Sequence, residues 1–576
     1  MNLLPQIEKW LLPDIMLPAQ YVGGEPGSVA KPPKSVKGRF CFAFPDAYTI
    51  GMSNYGLQLL YAIMNRRDDW ACERVFTPYP DFEKLLRKKG LPLYSLENGS
   101  PLSEFDVVGF TLQYEMSFTN ILTMLDLGDI PLHSSDRKRT DPLVIAGGPS
   151  AVNPEPLADF IDLFVIGDGE ESLPLVCDAW LEYRDKYQNR RVALLEMARR
   201  FSFVYVPQFY HVEFDAATGR AKRPKPMEEG VPELIHTVTV SDLEKHDPPV
   251  HRIVPLIECV QDRVSIEIMR GCPGRCKFCN STVQKRPIRC RSIENIVNLA
   301  YESCLATGGD EVSLLSLSTS DYPRFEELIR QLRDKLSTLG SMVSISVPSL
   351  RITHQLSSVM SLLTTERTSG LTIAPEAARD EMRKRIGKPI TNENLLAGCQ
   401  AAFENGFHRV KMYFLCGLPE ETDDDIDGIF DLSMQIAQLG KRVRNRFPTV
   451  TVNVSNFVPK PHTPWERYGM KERQTLFAIH DRLKNKVRRT PLSLKYHTLE
   501  TSLLEGLLSR GDRRLGAVIE SVWRQGARLD AWSDYFRYDL WEQTITASGL
   551  PIDRIVHTDY AETDELPWGH IRLTEP

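Results

Sequence analysis

The feature that most constrains the fold is an alternation of strand-like and helix-like segments, which occurs in two separate stretches of the chain. In the first stretch the apolar runs are residues 39–44, 105–112, 143–149 and 163–170. Strands separated by helices predict a parallel, doubly wound α/β sheet. Ligands of such sheets bind at the carboxyl ends of the strands, and several glycines of this stretch fall there.

The second stretch repeats the alternation about six times and predicts a partial (β/α)6 barrel. Its strand-like runs begin with residues 265–269 and continue with residues 311–317, 342–347, 370–374, 409–415 and 450–457. The intervening segments have helical spacing, including residues 356–363. Active sites of barrels form at the carboxyl ends of the strands, so we expect functional residues in the loops that follow these runs.

A chain of 576 residues is too long for one hydrophobic core. The pattern of apolar, proline and glycine residues changes along the chain and predicts five parts. They are an N-terminal arm (1–37), the α/β domain (38–200), a β-hairpin with a linker (201–255), the barrel (256–468) and a small, mainly helical C-terminal region (469–576).

Composition limits where such a chain works and what it binds. No apolar run is long enough to cross a bilayer and no signal peptide is evident, so we expect a cytoplasmic protein without membrane contact. A net charge of -6 argues against nucleic-acid binding by the whole surface. A basic run at residues 482–489 leaves RNA as a partner that is not favoured, because a solvated helix face explains such a run more often.

Three cysteines in one short loop carry the chemistry. Cys272, Cys276 and Cys279 have the spacing C-x3-C-x2-C and directly follow the first strand of the barrel. Because no fourth cysteine or histidine follows at a ligand-like interval, the loop predicts a cubane iron-sulfur cluster with one iron open. Zinc is the alternative, but structural zinc takes four ligands and catalytic zinc usually draws on His or carboxylates that this loop lacks. The other cysteines are scattered singly, unlike a disulfide framework.

This loop resembles the cluster loop of the radical S-adenosylmethionine (SAM) superfamily, including the aromatic Phe278 before the last cysteine. The resemblance implies a [4Fe-4S] cluster held by the three cysteines, with SAM chelated by the open iron. One electron, from a donor such as flavodoxin or ferredoxin, would cleave SAM to methionine and a 5′-deoxyadenosyl radical. The cofactors would carry the difficult step while the protein positions them.

The same resemblance assigns further SAM contacts, besides Phe278, to three elements of the barrel. They are Gly308, Gly309 and Glu311 at the start of the second strand, Glu376 after the fourth, and Cys416 and Gly417 after the fifth. The first would meet the SAM amino group, the second the ribose hydroxyls, and the third the adenine. Each also has a plain structural interpretation, as a turn, a helix-start carboxylate and a helix cap at Thr422.

The first stretch resembles the cobalamin-binding domain that precedes the barrel in many radical SAM proteins. That domain carries D-x-H-x-x-G, whose histidine becomes a ligand of cobalt; here the pattern is Asp46, Tyr48 and Gly51. The other candidate cobalamin residues are Thr111, Gly147, Gly148, Gly167 and Gly169. Tyr48 in place of histidine implies that cobalamin would be held by backbone and pocket contacts alone. The alternative is a sheet that kept the shape and lost the ligand.

Taken whole, the chain resembles an uncharacterised family of cobalamin-domain radical SAM proteins, through segments such as residues 21–25, 44–46, 145–149 and 459–464. The resemblance implies an enzyme that activates a C–H bond, with cobalamin-dependent methyl transfer as a candidate reaction. One alternative is methylthiolation of tRNA or a ribosomal protein, although such enzymes carry a second three-cysteine cluster that this sequence lacks. Another is a non-catalytic iron-sulfur sensor or assembly protein.

Candidate substrate contacts follow the sixth strand of the predicted barrel. A proline-rich loop there carries Lys460, His462 and Trp465, which offer a charge, a titratable ring and a stacking face. From the C-terminal region, Glu505 and Arg510 are expected to reach back to the same barrel mouth.

Overall fold

The computed structural model describes residues 2–7, 9, 15–340, 342–348 and 370–573. Contacts divide the chain into two compact units. The first, here called the N-terminal unit, consists of Met1–Asp262, Leu508–Ile552 and Thr563–Thr574. The second, the barrel unit, consists mainly of Arg263–Leu507 and Asp553–Glu562. The predicted C-terminal region is therefore not a unit of its own, because its parts pack with both of the others.

A six-stranded sheet forms the centre of the N-terminal unit. Its strands are β1 (Gly38–Phe44), β2 (Trp70–Phe76), β3 (Val107–Thr111), β4 (Leu143–Gly147), β5 (Leu163–Val165) and β6 (Val204–Tyr205). Their order is β2-β1-β3-β4-β5-β6, and only β6 runs antiparallel. The predicted doubly wound sheet is confirmed, with the strand order reversing between β1 and β3.

Two strands of this sheet differ from the sequence prediction. β2 was not predicted, because Glu73 and Arg74 interrupt its apolar pattern. Both side chains are nevertheless buried, since Glu73 pairs with Arg39 and Arg74 pairs with Glu97. β6 was predicted as part of the hairpin but joins the sheet edge. The hairpin itself consists of β7 (Tyr210–His211) and β8 (Lys225–Pro226).

Helices cover the sheet of the N-terminal unit. They are Tyr48–Gly51, Tyr55–Asn65, Pro80–Lys89, Phe118–Leu127, Gly169–Lys186 and Arg190–Arg200, and in the C-terminal part of the chain Leu515–Arg524 and Tyr538–Ser548. β9 (Ile235–His236) pairs in parallel with the last strand, Ile571–Arg572. Among the described residues, no helix is both long and apolar enough to traverse a bilayer.

The barrel unit contains two parallel sheets. The first has the order β10-β13-β14, with β10 (Val264–Glu267), β13 (Glu311–Leu315) and β14 (Ser344–Ser346). The second has the order β15-β16-β17-β18, with β15 (Leu371–Glu376), β16 (Arg409–Cys416), β17 (Thr449–Asn456) and β18 (Leu492–Tyr496). A two-stranded antiparallel ribbon joins β11 (Met269–Arg270) to β12 (Arg289–Cys290).

All six predicted barrel strands are present, and β18 is a seventh in a region that was predicted to be mainly helical. The helices of this unit are Asn280–Gln284, Ile293–Thr307, Phe325–Leu336, Asp380–Arg385, Asn392–Glu404, Asp423–Arg444, Arg473–Val487, Leu499–Arg510 and Ile552–Val556. The predicted helix at residues 356–363 lies outside the described residues. Thr422 and Asp425 form a capping box that starts the longest helix, as the plain interpretation of Thr422 expected.

The core of the second sheet lies on one face only. Helices Asn392–Glu404 and Asp423–Arg444 pack there, and buried strand residues such as Val410, Met412 and Val452 form the apolar cluster with them. The loops that carry the candidate site residues leave the sheets near the carboxyl ends of β10 and of β15 to β17.

Candidate functional site

The three cysteines lie in the loop between β11 and the helix Asn280–Gln284. All three side chains are partly exposed and none is in a disulfide. Gly271 opens the loop at φ 101°, and a Cβ there would lie 2.7 Å from the Lys285 carbonyl oxygen, so only glycine fits. The Gly274 N–H donates to the Cys272 sulfur at 3.3 Å. Partial exposure keeps these thiols accessible to a metal cluster.

Two other loops hold the cluster loop at Lys277. The Lys277 N–H donates to the Ile386 carbonyl at 2.9 Å, and its carbonyl accepts from the Trp465 N–H at 3.2 Å. Gly387 comes so close that a Cβ there would lie 2.3 Å from the Arg275 carbonyl oxygen. We call this arrangement the loop clamp. It fixes the backbone between the second and third cysteines from two directions.

Phe278 packs against an apolar cluster rather than standing free. The cluster includes Ala377, Leu418, Phe457 and Trp465. The aromatic residue before the last cysteine therefore anchors the loop, and contact between its ring and SAM stays a prediction.

In the part of the chain that the structure describes, no three His, Cys, Asp or Glu side chains converge around a point where one metal ion would fit. A cubane spreads its thiolates over three different irons, so it needs a wider ligand spacing than a single ion does. The ligand set is all thiolate and partly exposed, which fits an iron-sulfur cluster with an open iron.

Glu376 ends β15 in a strained conformation. Its φ is 66°, which is uncommon for any residue but glycine, and such strain tends to be stored at functional sites. Its Oε1 lies 3.1 Å from Lys388 Nζ. Burial raises the pKa of this carboxyl, although Lys388 opposes the shift. A partly buried carboxylate at a strand end is able to accept hydrogen bonds from hydroxyl groups.

The next strand ends in a loop that carries a second unusual carboxyl. Glu421 accepts a hydrogen bond from the Gly417 N–H at 2.6 Å, and burial raises its pKa to about 8. It is thus protonated at neutral pH. Gly417 has φ 78°, so glycine is required at this turn. The Cys416 thiol is fully buried among residues of the helix-covered core, so any contact of Cys416 with SAM would have to use its backbone.

Gly308, Gly309 and Glu311 lie at the wrong end of their strand for the predicted contact with SAM. Gly308 caps the helix Ile293–Thr307, and Glu311 begins β13 and pairs with Arg263 at 3.1 Å. The cluster loop follows the carboxyl ends of the strands, because β10 and β13 are parallel. A strand of five residues separates its two ends by roughly 15 Å. The helix cap at Gly308 and the ion pair of Glu311 account for this segment without a contact to SAM.

At the correct end of β13 the chain continues into a serine- and threonine-rich turn that sequence reasoning missed. Ser316 Oγ lies 2.9 Å from Thr319 Oγ1, and Ser316 remains partly exposed. The signal was available in the run Leu-Ser-Leu-Ser-Thr-Ser, which directly follows an apolar strand.

A buried polar network at the ends of β16 and β17 was also missed. Asn456 Oδ1 lies 2.8 Å from His480 Nε2 and 3.5 Å from the Cys416 sulfur, while its Nδ2 donates to Ser502 Oγ at 2.9 Å. Burial lowers the pKa of His480, which keeps the imidazole neutral. The network holds the ends of two adjacent strands in place, and its members are far apart in the sequence.

The predicted substrate residues separate into two groups. Lys460 Nζ lies 2.8 Å from Glu505 Oε1, so Glu505 contacts the proline-rich loop, and a role of either residue in substrate binding stays a prediction. His462 adopts φ 64° in the same loop, and its N–H donates to Glu466 at 2.6 Å. Arg510, however, is buried and belongs to the N-terminal unit. The prediction that it reaches the barrel mouth is not supported.

In the N-terminal unit the candidate cobalamin residues at the end of β1 have partners from within the chain. Tyr48 is buried, and its hydroxyl donates to Glu25 Oε1 at 3.1 Å. The indole N–H of Trp532 donates to Asp46 Oδ1 at 2.8 Å, and burial raises the Asp46 pKa. A Cβ on Gly51 would lie 2.2 Å from the Phe76 ring. This end of the sheet is packed by protein.

The carboxyl ends of β3, β4 and β5 are more open. Thr111, Gly147 and Gly148 are partly exposed, as is Gly169 at the start of its helix. Gly167 is exposed, although a Cβ there would lie 2.1 Å from the Val238 carbonyl oxygen. Small residues at parallel strand ends allow a ligand to approach the backbone closely.

The basic run at residues 482–489 is partly neutralised. Arg482 and Lys486 both pair with Asp427, at 2.7 and 2.9 Å. The Arg482 guanidinium holds the pKa of Asp427 down at about 2. These contacts agree with the solvated helix face that the sequence favoured over RNA binding.

Two parts of the chain match known protein families. Residues 56–207 match the family described as radical SAM proteins, N-terminal, and residues 266–433 match the radical SAM superfamily. An uncharacterised protein of Methanocaldococcus jannaschii is 28% identical over 439 residues, which cover 75% of this chain and 84% of the relative.

Two solved structures are also similar. One is the radical SAM methyltransferase TsrM from Kitasatospora setae with cobalamin and a [4Fe-4S] cluster bound, at 14% identity and a TM-score of 0.49, covering 75% of this chain and 77% of that one. The other is the cobalamin-dependent SAM radical enzyme OxsB, at 12% identity and a TM-score of 0.48, covering 90% and 71%. The two family matches agree with the three-cysteine loop near the end of a barrel strand. The chain therefore belongs to the radical SAM superfamily, and it is an enzyme whose cofactors include a [4Fe-4S] cluster and SAM.

Proposed function

We propose that this enzyme reductively cleaves SAM to activate a C–H bond of its substrate. The cluster would supply the electron that splits SAM into methionine and a 5′-deoxyadenosyl radical. The observation that carries the proposal is the clamped cluster loop, with three partly exposed thiols on the same unit as the strained Glu376. Radical SAM proteins need an electron donor, and we propose a flavodoxin or a ferredoxin for this role.

The residues of the barrel unit would divide the work as follows. Cys272, Cys276 and Cys279 would hold three irons and leave the fourth to SAM. Glu376 would accept hydrogen bonds from the ribose hydroxyls, in a position that Lys388 orients at 3.1 Å. The turn at Gly417, held by Glu421, would face the adenine. The loop clamp would keep the cluster backbone still during electron transfer.

We further propose that the N-terminal unit binds cobalamin at the open ends of β3, β4 and β5. The support is the partial exposure of Thr111, Gly147, Gly148 and Gly169 at parallel strand ends. Cobalamin would supply methyl-transfer chemistry when bound. Because the Tyr48 hydroxyl is engaged with Glu25 in a buried contact, this chain would offer no ligand to cobalt from that position.

Methylthiolation has less support. Cys41, Cys72 and Cys177 are fully buried and burial raises their thiol pKa values, whereas cluster ligands must be thiolates. The described part of the N-terminal unit therefore offers no second three-cysteine set.

The test is anaerobic reconstitution with iron, sulfide and hydroxocobalamin, followed by desalting, reduction and addition of SAM. We expect an iron-sulfur absorbance and formation of 5′-deoxyadenosine. A retained corrin spectrum would support methyl transfer, while its loss would leave hydrogen abstraction as the reaction. A fully loaded, reduced cluster that leaves SAM intact would overturn the proposal.

A further inference from the structure

The second sheet of the barrel unit has two faces of opposite chemistry. In register across β15 to β18, the rows Leu371-Val410-Val450-Leu492 and Ile373-Met412-Val452-Leu494 lie toward the helices and are almost wholly apolar. The alternate rows are polar: Lys411 pairs with Thr451 and Thr451 with Ser493, while Tyr413 pairs with Asn453 and Asn453 with Lys495. Every one of these six polar residues is partly or fully exposed. We call this side of the sheet the polar face.

A polar face is unusual on a parallel sheet. Parallel strands are normally buried on both sides, and their sequences are then continuous apolar runs. Here the central strand β17 reads Thr-Val-Thr-Val-Asn-Val-Ser-Asn, a strict alternation that is typical of a sheet with one wet side. The exposed side of a central parallel strand therefore calls for an occupant that is itself polar.

The polar face carries an excess of positive charge. Lys411 and Lys495 form no ion pair within the described residues. Glu376, at the carboxyl end of β15, is already paired with Lys388. An anionic ligand would balance this charge.

The register also sets the size of the ligand. Lys411 and Lys495 are two strands apart and displaced by two residues along the strands. With strands about 4.8 Å apart and a rise of about 3.3 Å per residue, their Cα atoms are separated by roughly 12 Å. Two lysine side chains can span that distance and meet on one small molecule. Between them, Asn453 donates to the Met412 carbonyl at 3.2 Å, which leaves its Oδ1 as an acceptor.

We propose that the polar face binds the substrate, and that this substrate is a small polar molecule whose anionic oxygens are contacted by Lys411 and Lys495. The inference rests on the proposed function and adds the substrate class to it. A molecule on this face would lie along the same sheet as Glu376, which ends β15 beside β16. In register, Glu376 pairs with Phe414, one residue beyond the row of Tyr413, Asn453 and Lys495.

The experiment measures binding of pyrophosphate and of citrate to the reconstituted enzyme by calorimetry. The two probes distinguish phosphate from carboxylate as the anionic group. We expect at least one to bind wild-type enzyme, with a loss of about tenfold in each of K411M and K495M, because each substitution removes a charge-assisted hydrogen bond to the anion. K411R and K495R should restore binding, and K484M is the control, because Lys484 is exposed on a helix.

Equal affinity in the double variant K411M/K495M, or no binding of either probe to wild-type enzyme, would overturn the inference. Thermal unfolding of each variant checks that the sheet is intact. SAM cleavage by the same wild-type sample separates the two proposals: absence of cleavage would count against the proposed function, whatever the result with the probes.

Discussion

The two parallel sheets of this enzyme differ in what lies on their faces and at their ends. In the N-terminal unit, β1 and β2 are buried at every residue, and the end of β1 is packed by Glu25 and Trp532. In the barrel unit, β16 and β17 alternate between buried and exposed residues, and β15 ends in the strained Glu376. Strands of similar parallel topology are thus buried throughout in one unit and exposed on alternate residues in the other. Substitutions at the packed end of β1 should therefore change stability, whereas substitutions at the end of β15 should change cofactor chemistry.

The largest effect is expected for the cluster ligands. In C272A the cluster loses one of three thiolates, so we expect cluster absorbance and 5′-deoxyadenosine formation to fall to background. Iron and sulfide analysis with the visible spectrum measures this. C290A is the matched control, since Cys290 is an exposed cysteine outside the loop. A full cluster in C272A would contradict the ligand assignment.

Glu376 should affect SAM binding next most strongly. Loss of charged hydrogen bonds in E376Q should weaken SAM affinity by roughly 10- to 100-fold. E381Q, an exposed glutamate on the helix that follows, should bind SAM like wild-type enzyme.

The pH dependence of SAM affinity gives an independent measure of the same carboxylate. Burial raises the pKa of Glu376 in the free enzyme, and only the ionised form accepts from both ribose hydroxyls. Affinity should therefore be full above the raised pKa and fall as pH decreases through it, at a higher pH than for an ordinary glutamate. The decline should be absent in E376Q; an identical decline there would assign it to another group.

The loop clamp should produce a smaller effect, on cluster retention. G387A places a Cβ 2.3 Å from the Arg275 carbonyl oxygen at a residue with φ 77°, so we expect a cost of about 1–3 kcal/mol and faster loss of iron to a chelator. G406A is the control for backbone strain alone. Gly406 also has a positive φ, 88°, but a Cβ there would meet no neighbouring atom. Equal iron loss in both variants would show that the contact with the cluster loop is irrelevant.

The smallest effect is expected in the N-terminal unit. W532F removes the N–H that donates to the partly buried Asp46 carboxyl group, so the free energy of unfolding should fall by about 1–3 kcal/mol. SAM cleavage per loaded cluster should be unchanged. Thermal denaturation combined with the cleavage assay tests both parts, and a large loss of cleavage at normal stability would remove the distinction between the two sheets.

Features of the fold and the candidate site could be predicted from the sequence where they depend on neighbouring residues in the chain. The cysteine spacing and the period of strands and helices are local, so the six barrel strands and the position of the three-cysteine loop after the first of them were predicted correctly. β2 was not predicted, because its buried Glu73 and Arg74 look like surface residues until their partners are known. Gly308 and Gly309 matched a motif, but their position at the amino end of β13 depends on which strands pair and in which direction.

By itself, the sequence determined the superfamily, the loop of three cysteines and the alternation of strands and helices, because these depend on residue type and short-range spacing. Tertiary structure decided which residues meet across long separations. It brought Trp465 to the cluster loop, His480 to Asn456, and Trp532 to Asp46. It also decided that alternating residues of β16 and β17 form one continuous polar face. The physical reason is that strand register and packing place neighbours by geometry, which no local pattern encodes.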